Sequence, residues 1–331
     1  MWIRIFIAVL LLGSMNNGFC NEYKLVTLST VKARPLAMGG AFVSMEDNLA
    51  SLDFNPAAFT LSSSAKRAQF SFFLNPLGPL LIKENRGKIS DWDVLLGFII
   101  HGAAVSLGGI QFGVLWGEEA LMDMKRLGRT CLFDGTGYRG QRNTSFGLSL
   151  HLAPRVSLGL AGEVLLRKEN DNIKGKLGYR YGILLKPRND LNVGLCFFDF
   201  PKAYKEDRKV LERLADETLN IGVSYTPWRF LTLALDIRNV SDEGKGVVRE
   251  PHIGFETSPL RCLRLRGGYY RGKGGGDETI SFGIGFLTGR SNLSEDRFFF
   301  HPTFELNTTL LWQKDRDEKN RWLFLSCVVR I

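Results

Sequence analysis

A chain of 331 residues with 44% hydrophobic side chains has enough apolar surface for a large core or a lipid-facing wall, which excludes a disordered protein. The net charge of +9 comes from 43 Lys and Arg scattered among 34 Asp and Glu. Without aromatic interleaving or a motif, that charge does not point to nucleic acid, and basic loops beside acidic lipid headgroups are its better use.

Residues 1–20, MWIRIFIAVLLLGSMNNGFC, carry a basic start at Arg4, an apolar run from Ile5 to Leu12 and a polar end. This is the pattern of a secretory signal peptide, so the mature chain is expected to begin near Asn21. The rival reading, lipidation at Cys20, is disfavoured by Phe19 and Asn17, where lipoprotein signals place a small residue and a Leu-like one. No later segment has about 18 consecutive apolar residues, so the exported chain is either soluble or a β-barrel.

The stretch RPLAMGGAFVSMEDNLASLDFNPAAFT, residues 34–60, is too broken by Gly, Asn and Pro for one long helix and too irregular for a strand. Gly39-Gly40 permits positive φ, Asp47 can cap a short helix over 48–54, and Asn55-Pro56 ends that helix while capping another over 56–60. The grammar is that of a compact knot.

From residue 66 onwards the pattern has period two, with Gly, Pro, Asn and Asp punctuation. Fourteen runs are expected as strands: 66–75, 91–101, 104–116, 143–152, 155–168, 176–186, 190–199, 217–226, 229–240, 250–258, 261–271, 278–288, 301–313 and 321–331. Leu219, Ile221, Val223 and Tyr225 oppose Asn220, Gly222 and Ser224, and Ile280, Phe282, Ile284 and Phe286 oppose Ser281, Gly283 and Gly285. Connections after even-numbered runs are mostly tight, at 153–154, 187–189, 227–228 and 259–260, while 76–90, 117–142 and 200–216 are long. Short turns on one rim and long loops on the other fit a transmembrane barrel with the short turns in the periplasm; the long connection near 289–300 is the exception.

If the apolar face meets lipid, the other face places Glu163, Arg167, Arg180, Asp236, Arg238, His252, Glu256, Arg264, Arg266 and Glu305 in the lumen, where such mixed charges must be paired or wet. In the third run Val105 and Leu107 share one parity and Ile110, Phe112, Val114 and Trp116 the other, with the switch at Gly108-Gly109. A β-bulge or kink is expected there, read either as a lateral gate or as an ordinary barrel-shaping kink. The last run ends at Ile331, where outer-membrane barrels usually carry the aromatic residue read by the insertion machinery.

Cys131, Cys196, Cys262 and Cys327 have no CxxC or Cys/His spacing, and His101, His151, His252 and His301 form no HExxH motif, so neither a metal nor a cofactor is expected. The Gly-rich RGKGGGDE, residues 271–278, lacks the Ser or Thr of a phosphate cradle, and nothing supplies the nucleophile or acid/base pair of an enzyme.

Arg34, Met38-Gly39-Gly40-Ala41, Asp47, Ala50 and Asn55-Pro56-Ala57 resemble the N-terminal signature of the FadL/PorV superfamily, outer-membrane barrels of fourteen strands with an N-terminal hatch containing Asn-Pro-Ala. The resemblance implies a signal peptide at 1–20, a lumenal hatch at 21–65 and an all-β, 14-stranded antiparallel barrel at 66–331 in the outer membrane of a diderm bacterium. It implies either FadL-like passive uptake of long-chain fatty acids or other hydrophobic small molecules, with lateral exit at a kink in the third strand, or PorV-like binding of secreted proteins. Spirochaete-type members have only the fold in common with either.

Overall fold

The computed structural model describes residues 23–29, 31–60, 69–77, 99–116, 120–123, 141–169, 172–199, 218–238, 240, 249–271, 278–288, 303–315 and 318–331. Among them are sixteen strands: β1 (Tyr23–Ser29), β2 (Gln69–Leu74), β3 (Ile100–Leu107), β4 (Ile110–Leu115), β5 (Ala120–Asp123), β6 (Gln141–Ala153), β7 (Val156–Glu169), β8 (Asn172–Arg188), β9 (Leu191–Asp199), β10 (Thr218–Trp228), β11 (Leu231–Arg238), β12 (Glu250–Leu260), β13 (Leu263–Arg271), β14 (Glu278–Thr288), β15 (Thr303–Asp315) and β16 (Glu318–Arg330). One short helix, α1 (Ala33–Ala37), and two 3₁₀ turns, Leu49–Asp53 and Pro56–Ala58, lie in the N-terminal part.

Fourteen of the strands close an antiparallel barrel. Each of β2, β3, β4 and β6 to β16 pairs with the next, and the ring shuts where Cys327, Val328, Val329 and Arg330 of β16 meet Leu74, Phe73, Phe72 and Ser71 of β2. Closure satisfies the backbone groups that an open edge would leave unpaired.

Alternation fixes what faces where. Leu233, Leu235 and Ile237 of β11, Ile253 and Phe255 of β12, and Ile280 and Phe282 of β14 are exposed on the outside, while Asp236, Arg238, His252, Glu256 and Ser281 on the other parity are buried. An apolar exterior around a polar interior is the reverse of a water-soluble protein, and it suits a wall standing in lipid.

Five hairpins on one rim turn in two residues, pairing Leu107 with Ile110, Ala153 with Val156, Arg188 with Leu191, Trp228 with Leu231 and Leu260 with Leu263. The first of these corrects the expected third strand. Gly108-Gly109 is no kink within one strand but the turn between β3 and β4, and Gly108 has φ 63°. A two-residue turn places Leu107 and Ile110 on the same face despite their opposite parity, so it leaves the same mark in the sequence as a bulge. The run expected at 91–101 falls largely outside the described residues, and 104–116 divides into the end of β3 and β4; the two differences cancel in the strand count.

Long strands differ from expectation in the other direction. β7 and β8 continue until residues 170–171 alone join them, and β15 and β16 until 316–317 do. The loops at 76–90, 117–142 and 200–216, and the connection at 289–300, lie mostly or wholly outside the described residues.

Two strands stand apart from the fourteen. β1 runs parallel to β16, from Tyr23 beside Lys319 to Ser29 beside Leu325, and pairs antiparallel with β5 on its other edge. Towards the long-loop rim, therefore, β1 takes the lane beside β16 that β2 takes near the short-turn rim. Tyr23–Ser29 is a stave of the wall, so the lumenal part of the expected 21–65 hatch starts later, at Val31. Apolar alternation in YKLVTLS does not reveal a partner three hundred residues away.

Candidate functional site: the seat of the lumenal segment

Residues 31–60 fill the interior. Phe42, Leu49, Leu52, Phe54 and Phe59 are almost wholly buried and, with inward-facing Phe73, Ala104, Leu115 and Ala234, form one apolar cluster. Phe42 and Phe54 meet edge to face at 5.5 Å. Burying five such side chains supplies roughly 2 kcal/mol each, the main reason the segment stays inside.

Local turns follow the side chains. The amide of Leu49 donates to Asn48 Oδ1 at 2.7 Å, so Asn48 rather than Asp47 caps the first 3₁₀ turn, which covers Leu49–Asp53. Asp47 is engaged elsewhere, in a bridge to Phe59 and an ion pair with Arg34 at 3.1 Å. Asn55 caps the second turn through the Ala57 amide at 3.0 Å, with Pro56 at its first position, and its Nδ2 donates to the carbonyls of Val43 at 2.7 Å and Ile183 at 3.2 Å. Asn55-Pro56-Ala57 is thus a clip between two parts of the segment and β8.

The wall meets this segment at glycines. A Cβ on Gly159 or Gly182 would overlap Asn55-Pro56-Ala57, one on Gly194 would overlap Val43, and one on Gly254 or Gly268 would overlap Met38-Gly39. Main chain lies directly on main chain, a fit that any side chain would prevent.

Polar wall residues hold the same turns. Gly39 and Gly40 take φ 62° and 77°, and their carbonyls accept from His252 Nδ1 at 2.6 Å and from the Arg238 guanidinium. The Gly39 amide donates to Ser281 Oγ at 3.0 Å. Asp236 Oδ2 accepts the amides of Phe42 and Val43 at 2.6 and 2.9 Å. Amides and carbonyls left over by a left-handed turn are satisfied by side chains from β11, β12 and β14.

A second grip is ionic. Arg34 bonds Glu256 through Nε at 2.8 Å and Nη2 at 2.9 Å, and Glu256 also accepts from Arg264 at 2.9 Å and Arg266 at 2.5 Å. Burial works against the Arg34 charge, but Glu256 and Asp47 overcome this and raise its pKa above the ordinary arginine value. Arg266 continues to Asn307 at 2.6 Å and towards Glu305 at 3.6 Å, and Glu305 pairs with Arg330 at 2.8 Å. On the opposite wall Arg180 joins Glu163 and, at 3.2 Å, Asp53, which Lys32 meets at 3.0 Å.

Glu163, Arg180, Asp236, Arg238, His252, Glu256, Arg264, Arg266 and Glu305 therefore lie on the inner face; Glu163 meets Arg180 and Glu305 meets Arg330, and the other seven bind the lumenal segment or Glu256 directly. Met38, Gly39, Gly40, Asn55, Pro56 and Ala57 lie against them or against the wall glycines, whereas Gly108 and Gly109 sit at the rim. The side chain of Arg167 lies outside the described residues. Ser281 and the wall glycines are partners that sequence reasoning missed; the recurrent inward parity of Gly159, Gly182, Gly194, Gly254 and Gly268 was the available signal.

No protein-family model and no curated protein matches the chain. Among solved structures, the Pseudomonas putida toluene transporter TodX is similar over 92% of this chain and 98% of its own, at 12% identity and TM-score 0.49. The CymD monoaromatic hydrocarbon channel covers 89% of this chain and 94% of its own, at 10% identity and TM-score 0.47. A mutant of Rh. blastica porin covers 80% of this chain at 8% identity and TM-score 0.35. Likenesses this distant add nothing to what register and burial establish.

Proposed function

We propose that the chain is an outer-membrane barrel for passive uptake of small apolar molecules, long-chain fatty acids among them, with residues 31–60 as a hatch that blocks the straight path to the short-turn rim. The observation that carries this reading is the pairing of an apolar exterior with a lumen stopped by the chain's own main chain, seated on wall glycines. A solute arriving from the long-loop rim then leaves either by displacing the hatch or through the wall.

The seam at β1 supports the second route. Between β16 and β5 the wall depends on a seven-residue parallel strand continuous with the hatch, and its withdrawal would open the wall to lipid at that level. On this reading the seam is the lateral exit, a proposal that the strand pairings on either side of β1 support.

Thr27 and Leu323 are register partners across it. After Cys131, Cys196, Cys262 and Cys327 are replaced with serine, Thr27→Cys/Leu323→Cys tests the seam in cells of a diderm host lacking its own fatty-acid channel. The unlocked chain is expected to take up labelled fatty acid, the oxidised one to lose uptake, and reduction to restore it. Uptake no better than empty vector by the unlocked chain sinks the transport reading, and undiminished uptake by a fully cross-linked one sinks the seam.

A further inference from the structure

Four successive hairpins on the short-turn rim carry an exposed arginine at the turn: Arg155 between β6 and β7, Arg188 at the end of β8, Arg229 between β10 and β11, and Arg261 between β12 and β13. Neighbouring turns lie two strand spacings apart, about 10 Å. They are tied to one another: the carbonyls of Arg155, Asp190, Phe230 and Cys262 accept the amides of Lys186, Thr226, Ser258 and Leu287 at 2.8–2.9 Å. The arginines stand on a braced arc, not on independent loops.

Immediately outside this arc the wall is apolar. Leu152, Trp228, Phe230 and Leu260 are among the most exposed large hydrophobic side chains, and the Trp228 and Phe230 rings stack at 5.8 Å. Aromatic rings at the edge of an apolar belt sit where hydrocarbon gives way to headgroups, which puts the neighbouring guanidinium groups at phosphate level.

Acidic side chains do not cancel the arc. Among the described residues at this rim Asp190 pairs with Arg188 at 2.8 Å and Glu46 with Lys186 at 2.6 Å, while the described residues give Arg155, Arg229 and Arg261 no carboxylate partner. Among the described residues the opposite rim mixes signs, with Asp199, Arg249, Glu278 and Lys314. Part of the +9 net charge is thus concentrated where lipid phosphates would lie.

We infer that the Arg155–Arg229–Arg261 arc is a binding surface for anionic phospholipid headgroups of the leaflet at the short-turn rim, fixing the barrel's depth and tilt. It rests on the membrane-spanning reading above but not on transport.

The mature protein, its triple variant Arg155→Gln/Arg229→Gln/Arg261→Gln and an opposite-rim control, Arg249→Gln/Lys314→Gln, are reconstituted in DOPC vesicles with and without DOPG. Lipids retained from the mixed vesicles are weighed by native mass spectrometry. The wild type is expected to favour DOPG by about fivefold per arginine, less at high salt; the triple variant is expected to lose that preference and the control to keep it. Failure to insert into either vesicle would overturn the membrane reading itself. Insertion into both, with equal retention of the two lipids by the wild type or an unchanged preference in the triple variant, would overturn the arc alone.

Discussion

Arg34 of the lumenal segment and Glu256 of β12 are joined by two charge-assisted hydrogen bonds, at 2.8 and 2.9 Å, across 222 positions of sequence. Because Glu256 also faces Arg264 and Arg266, the two partners are not equivalent. Glu256→Gln takes one shared carboxylate from three guanidinium groups, one of them fully buried, and is expected to cost about 3–5 kcal/mol. Arg34→Gln leaves Glu256 with two arginines and is expected to cost about 1–3 kcal/mol. Urea unfolding in lipid vesicles gives both values, and equal losses would contradict the shared-carboxylate geometry.

Asp236 provides the acceptor for two consecutive amides. Asp236→Ala orphans the Phe42 and Val43 N–H groups inside the barrel, each worth about 1–3 kcal/mol. Hydrogen exchange at those amides is expected to speed up at least tenfold while β11 itself stays protected.

Gly268 and Gly162 separate seating from strand propensity. A Cβ at Gly268 strikes the main chain of Met38 and Gly39, whereas one at Gly162 strikes only the outward ring of Phe146, which can move. Gly268→Ala is expected to expose the Lys32–Ala33 bond to trypsin, and Gly162→Ala to leave it protected. Cleavage in both variants would mean that the glycines do not seat the segment.

Gly108 carries the turn between β3 and β4. A side chain there meets no atom within 4 Å, but its φ of 63° makes Gly108→Ala strained by about 1 kcal/mol. A slightly lower melting temperature with unchanged fatty-acid uptake is expected; lost uptake in a well-folded variant would restore a role for this turn in passage.

Much of this fold could be read in advance because strand alternation is local. Leu233, Leu235 and Ile237 point outward because Asp236 and Arg238 cannot, and closure then demands an even ring. Depth was not legible: parity puts Asp236 inside, but only register puts it level with Phe42. The parity switch at Gly108-Gly109 was seen and misassigned, because a two-residue turn and a bulge reverse the faces alike. β1 was hidden for the opposite reason: its partner β16 lies at the far end of the chain, and no local pattern records a non-local pairing.

The most direct test of a barrel stopped by its own N-terminal segment is ion conductance in planar lipid bilayers, comparing the wild type with Arg34→Ala/Asp236→Ala. The wild type is expected to insert and stay electrically silent, and the double variant, with a principal contact of each grip on residues 31–60 removed, to show repeated openings. A wild type that conducts steadily, like an open pore, would contradict the account.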